Sequence, residues 1–344
     1  MQSIDKGSYF NYKNNANTIF AVERLTYIPI NLTLLLGVST NGTSYNREDL
    51  LALKGLAPNY NKDLSFSKKY GTVVTPHIAL QKLWKNQIFN LSYSEGYNAP
   101  TAAISLGNAT STNAVNDALA PERARMWDFS MHGLLDKTRL DYQLSVFNID
   151  IRDKLTSVRT PSWSYWANTG QQQNRGFEGS IGYIYHPTGW LTAVKPFINY
   201  SYYDFKYNTL TINGADYSNK RVVGVPRNKY AIGLDFDTSV GLYLINTFNY
   251  LGSVYSDFGN TNLVKAFGLL NAKVGYRQTF GKWNVDAFIA GNNLTNQINY
   301  TFLFLGNNIN DSDVNSNYPG VKTDLNPGPK KAYYFYGLNL KYHF

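Results

Sequence analysis

The sequence predicts an all-β protein, an antiparallel transmembrane β-barrel present as a partial barrel of about thirteen strands. Three observations carry that reading. Apolar and polar residues alternate with period two through most of the chain, most cleanly over its final residues. The connections between alternating segments are short and long by turns. No apolar run approaches the ~18–20 residues of a helical span, and of the 344 residues 15% are aromatic and only 16% charged. A soluble domain carries about 25% charged residues. A membrane barrel dilutes its apolar residues one-to-one with polar lumen residues, which gives this composition without any continuous hydrophobic segment.

Side chains of a strand point to opposite faces in alternation, so each element can be read from its two residue sets. Residues 18–28 form a weakly patterned first strand, and residues 31–40 place Leu32, Leu34, Leu36 and Val38 on one face. Residues 75–84, 87–97, 125–135 and 138–150 follow. Residues 176–185 put Phe177, Ile181, Tyr183 and Tyr185 together, and residues 195–207 are rich in Tyr. Tyr230, Ile232, Leu234 and Phe236 alternate with Ala231, Gly233, Asp235 and Asp237, while residues 241–250 are ambiguous in face. Leu270, Ala272, Val274 and Tyr276 alternate with Asn271, Lys273, Gly275 and Arg277. Trp283, Val285, Ala287 and Ile289 alternate with Asn284, Asp286, Phe288 and Ala290. In residues 332–344, Tyr334, Tyr336, Leu338, Leu340, Tyr342 and Phe344 oppose Phe335, Gly337, Asn339, Lys341 and His343.

Tight turns on one side and long loops on the other fit an outer-membrane barrel, with short periplasmic turns and long extracellular loops. On that reading residues 41–74, 98–122, 152–175, 208–228, 252–267 and 301–331 are loops. Bacterial single-chain barrels are even-stranded, so an odd count implies a missing odd number of strands. The expectation is a C-terminal portion of a larger barrel, with an open sheet whose unpaired edges lie near Thr18 and Phe344. The alternative is a strand hidden in residues 2–17 that pairs with residues 332–344 and closes a passive pore of about fourteen strands.

The formal charge of +9 comes from scattered Lys and Arg without a basic stripe, which argues against nucleic acid and fits a lipopolysaccharide surface or a charged lumen. No basic n-region followed by an apolar h-region is visible, and there is no Cys. His77, His132, His186 and His343 are far apart in sequence, with no metal-ligand spacing. No nucleophile–base arrangement or phosphate loop is visible, so the reading is of a non-enzyme without catalytic residues, cofactor or metal.

Five segments resemble the TonB-dependent outer-membrane receptors in family order. Tyr93-Ser94-Glu95-Gly96-Tyr97-Asn98-Ala99-Pro100-Thr101 resembles the family's Gly-Tyr/Phe-x-x-Pro-Thr strand end, and Leu119-Ala120-Pro121-Glu122 its Leu-x-Pro-Glu element. Asn168-Thr169-Gly170 with Arg175-Gly176-Phe177-Glu178 resembles the Asn-x-Gly…Gly-Phe/Val-Glu start of a strand. Val225-Pro226-Arg227-Asn228 is similar to Val-Pro-x-x, and Gly291 to Asn296 with Tyr300 is similar to the Asn-Leu-x-Asp/Asn-x-x-Tyr element. The resemblance implies a 22-stranded barrel in the whole protein, with residues 1–344 as the C-terminal portion of the barrel domain, about nine strands and the plug being absent. It also implies residence in the Gram-negative outer membrane and active import of a bulky solute, a ferric siderophore first. Cobalamin, other metal chelates and glycans remain open. The implied partners are outer-membrane lipid and lipopolysaccharide, the TonB complex through the missing N-terminal region, the barrel-assembly machinery and the ferric chelate.

Candidate ligand residues lie in the loops. Arg159, Trp163, Tyr165 and Trp166 form an aromatic-basic cluster, joined by Tyr217, Arg221, Tyr255, Phe302 and Tyr318. Aromatic rings stack on flat chelators, and Arg pairs with carboxylate or catecholate oxygens; the competing reading is an interface belt or loop packing. Asp141, Gln143, Glu178, Asp235, Lys273, Arg277 and Asp286 read as a polar lumen lining. Gly337, Leu340, Tyr342 and Phe344 resemble an outer-membrane assembly signal.

Overall fold

The computed structural model describes residues 10–50, 63–101, 103–105, 107–108, 114–135, 139–159, 164–212, 214–303, 325–329 and 331–344. Thirteen long strands follow one another in a single antiparallel sheet, each hydrogen-bonded to its sequence neighbour. They are β1 (Phe10–Tyr27), β2 (Leu32–Asp49), β3 (Phe66–Trp84), β4 (Gln87–Asn98), β5 (Glu122–Leu135) and β6 (Leu140–Arg152). Then come β7 (Gly170–Tyr183), β8 (Leu191–Ile212), β9 (Asn228–Thr238), β10 (Leu242–Leu251), β11 (Phe267–Phe280), β12 (Trp283–Asn292) and β13 (Tyr333–Tyr342). Every period-two segment of the sequence overlaps one of these strands. The sheet ends at β1 on one side and β13 on the other, and the described residues contain no pairing between them.

The cross-strand register sorts the residues into two faces. Trp283, Val285, Ala287 and Ile289 sit opposite Tyr342, Leu340, Leu338 and Tyr336. The same face carries Val274, Ile232, Ile198, Ile181, Val146, Phe129, Leu91, Leu80 and Leu36, all well exposed. That is a continuous apolar band that no other described residues cover, as a lipid-facing wall requires. The opposite, inner face holds Asp286 across from Arg277, Asp235 across from Lys195, and Glu178 across from Ser145 and Ser201. The expected lumen residues Asp141, Gln143, Asp235, Lys273 and Arg277 all share it.

Short connections at 28–31, 85–86, 136–139, 184–190, 239–241 and 281–282 alternate with long ones at 50–65, 99–121, 153–169, 213–227, 252–266 and 293–332. Several strands run further into the long-loop side than the sequence indicated. β1 begins at Phe10 and stays paired with β2 up to Asp49, and β8 continues to Ile212. A strand of about 18 residues spans roughly 60 Å, twice the hydrocarbon thickness. Beyond the lipid no apolar face is required, so the alternating signal vanishes while the backbone ladder persists. This corrects the expected loop at 41–74. It also shows that residues 10–17 continue β1 and are no separate fourteenth strand.

The inner face has a repeated device. Phe288 lies over Gly337, Tyr243 over Gly275, Phe197 over Gly233 and Phe147 over Gly176, each pair directly opposed across neighbouring strands. A Cβ on Gly337 would stand 2.5 Å from Phe288 Cζ, and one on Gly275 2.4 Å from Tyr243 Cζ. A ring laid on a bare glycine backbone shields it and fixes the register of two strands.

Candidate functional site

On the long-loop side, the end of β8 supports a folded module. Hairpin Leu155–Arg159/Ser164–Asn168 and the short pair Val254–Tyr255/Leu263–Val264 flank it. Val158, Tyr165, Tyr207, Leu210, Ile212, Val223 and Phe258 form its buried core, with Tyr217 packed against them. Phe258 meets Tyr207 edge-on at 5.7 Å and Tyr217 at 6.1 Å. Burial raises the Tyr165 hydroxyl above its ordinary pKa.

Two polar side chains, Asp257 and Asn260, tie the module's loops together. The Asp257 carboxylate accepts from Thr261 N, Thr261 Oγ1 and Asn262 N at 2.6–3.1 Å. Asn260 clamps Arg221, accepting from its backbone N at 2.7 Å and donating to its carbonyl at 3.0 Å. Arg221 is thereby fixed by its backbone, and its guanidinium sits 5.5 Å over the Tyr255 ring. Among the described residues it has no carboxylate in ion-pair range.

The structure gathers Tyr165, Tyr217, Arg221 and Tyr255 into this module. Tyr165 is 8% exposed and serves its core. Trp166 lies on the same hairpin opposite Ser157, and its carbonyl accepts from Asn116 Nδ2 at 2.6 Å. Arg159 pairs through its backbone with Ser164, and Phe302 with Asn326. Trp163, Tyr318 and the side chains of Arg159 and Phe302 lie outside the described residues. Gly337, Leu340 and Tyr342 belong to β13, with Phe344 just beyond it.

A second polar network, on the inner face of β10 to β12, was legible only in its separate residues. Asp286 accepts from Tyr243 Oη at 2.8 Å and lies 3.7 Å from Arg277 Nε. Lys273 stands 3.8 Å over the Phe288 ring, and Arg277 4.8 Å over Tyr243. Register places these five side chains together, although they come from three strands. His77 and His132 share the inner face on separate strands, His186 bonds Thr192 O in its turn, and His343 bonds Asn284.

The motif residues act as clamps between long loops. Asn168 exchanges two hydrogen bonds with the backbone of Ala120 and donates to Asp153 O. Glu122 Oε2 accepts from Lys154 Nζ and Leu155 N, both at 2.9 Å. Gly170, at φ 145°, passes so close to β8 that a Cβ would meet Thr209 O at 2.0 Å. Asn293, at φ 51°, bonds Gln297 and Pro329 O.

An antiparallel sheet with an uncovered apolar band, short turns on one side and long loops on the other has the build of an outer-membrane β-barrel wall. The TonB-dependent receptor-like β-barrel family model matches residues 2–294, and the chain belongs to that family. Comparison with curated protein sequences gives no match. The fold is similar to BauA, the ferric preacinetobactin receptor of Acinetobacter baumannii, at TM-score 0.68 and 20% identity, over 97% of this chain and 44% of that one. It is similar to the siderophore receptor PiuA of the same organism at TM-score 0.70 and 15% identity, over 96% and 44%. The copper transporter OprC aligns at TM-score 0.68 and 14% identity, over 97% and 48%. The chain thus spans less than half the length of these structures.

Proposed function

We propose that this chain forms the C-terminal part of the barrel of an importer that captures a bulky metal chelate, a ferric siderophore first, and takes it across the outer membrane with TonB-delivered energy. The carrying observation is the match of the receptor-barrel family over most of the chain. One relative in fold is described as a siderophore receptor and another as a ferric preacinetobactin receptor, which supports the substrate class. The Arg221–Tyr255 pair supplies chemistry suited to such a ligand, a guanidinium for chelating oxygens beside an aromatic face. Because Asn260 holds the Arg221 backbone, the guanidinium is presented with little ordering cost on binding. Trp166 and Tyr217 are the nearest further contributors, with Arg159, Trp163, Phe302 and Tyr318 as contacts from neighbouring loops. Capture is noncovalent.

The test is uptake of radiolabelled ferric chelates by the full-length gene in a strain without endogenous importers, with and without TonB. TonB-dependent uptake of at least one ferric siderophore is expected. The double variant R221A/Y255A should lower uptake at least about fivefold at unchanged surface level, the loss of one charge-assisted contact and one ring contact. Failure to import any ferric chelate would reject the substrate class.

A further inference from the structure

The outward face carries a groove of about 480 Å³ across β4 to β8. Leu91, Phe129, Val146 and Phe177 make its floor, with Trp127 and Tyr202 beside them. These residues share the lipid-facing side of the register. The groove opens on its long-loop side toward Asn148 and Arg175, where Arg175 Nε donates to Asn148 Oδ1 at 3.1 Å.

Immediately above it the same face turns strongly basic. Register sets Arg125 opposite Asp150, Arg123 opposite Arg152, and Arg175 opposite Asn148. Four arginines from three adjacent strands therefore share this face with three carboxylates, Asp150, Glu95 and Asp204, the last directly opposite Arg175. Arg125 pairs with Glu95 at 3.3 Å, Asp150 is taken by Asn148 and Gln173 amides, and Asp204 pairs with Lys206 at 3.0 Å and Arg227 at 3.3 Å. Among the described residues Arg123, Arg152 and Arg175 have no carboxylate in ion-pair range. Like charges directly opposite on a sheet are destabilising. An anion between Arg123 and Arg152 would relieve that repulsion, and arginine forks match phosphate oxygens.

We propose that this face is a docking site for a phosphorylated acyl lipid of the outer leaflet, of lipid A chemistry. One acyl chain would lie along Leu91, Phe129, Val146 and Phe177, and a phosphate would sit between Arg123 and Arg152, with Arg175 lower on the same face at the mouth of the groove. Charge complementarity and the position of the arginines at the upper border of the apolar band select this occupant over an uncharged lipid or a second copy of the chain. The inference rests on the family's outer-membrane setting and is independent of the imported substrate.

The test uses the full-length protein extracted in mild detergent, delipidated, and read by native mass spectrometry. Wild type should retain added lipid A, and dephosphorylated lipid A should bind at least tenfold more weakly. Phosphatidylglycerol, with one phosphate and two chains, should compete at least fivefold less well. R123Q/R152Q should lose retention at least fivefold, whereas Lys82→Gln, a charge removal on the same face at the opposite rim, should keep it. V146W, which fills the groove without touching the arginines, should also lose it. Equal binding of the dephosphorylated lipid, equal competition by phosphatidylglycerol, or dimers occupying this face in place of lipid would each overturn the proposal. The wild-type comparisons stand even if a variant does not assemble.

Discussion

Asn293 shows how much one polar side chain does where long loops meet the sheet. It is 3% exposed, in the left-handed region, and its amide bridges Gln297, four residues on, to Pro329, 36 residues on. An unsatisfied buried donor or acceptor costs about 1–3 kcal/mol. Asn293→Ala should therefore lower unfolding stability by about 2–4 kcal/mol, read as urea midpoint in detergent. Asn293→Asp, which keeps the acceptor for Gln297 N but removes the donors, should fall between. Asn168→Ala should act similarly through the Ala120 backbone. In the sequence both asparagines were visible only as members of motifs. Their partners lie at distances that no local pattern encodes, so the motif was legible and its job was not. Arg123, Arg152 and Arg175 show the same limit, because scattered positives become a cluster only once register is known.

At the scale of the strand, period two was sufficient to locate all thirteen staves, because lipid on one side and polar lumen on the other force alternation. It failed where that force stops, at the extensions of β1, β2, β3 and β8, and within the loops, where hairpins 155–168 and 254–264 fold on side-chain clusters. The glycine–aromatic pairs add a register lock that alternation alone does not supply. At Gly337 the nearest atoms to an added Cβ all belong to the Phe288 ring, at 2.5 and 2.6 Å. Gly337→Ala should cost about 1–3 kcal/mol through overpacking, and Phe288→Leu in the same chain should recover most of it. Gly42→Ala, where a Cβ meets nothing within 4 Å, should be neutral in the same denaturation assay. If Phe288→Leu gives no recovery while surface levels fall, Gly337 acts through assembly rather than through this ring.

For the whole molecule the decisive quantity is the parity of the strands. β1 runs from the long-loop side to the short turn at 28–31, and β13 follows the long connection 293–332 and runs the same way. The two free edges are therefore parallel to each other. Edge backbone groups in lipid cannot stay unpaired, at several kcal/mol each, so both edges must find partners. An odd number of further strands satisfies both edges with the antiparallel ladder used throughout the sheet, and direct closure of β1 on β13 does not. The absence of Cys makes the point testable by engineered disulfides in membranes. Cysteines replacing Leu25 and Leu34, which are direct partners across β1 and β2, should cross-link. Cysteines replacing Leu25 and Leu340, scanned over neighbouring same-face positions of β13, should not. Efficient cross-linking of β1 to β13 would mean a self-closed thirteen-stranded cylinder, and would turn the reading from an importer's barrel wall to a narrow passive pore.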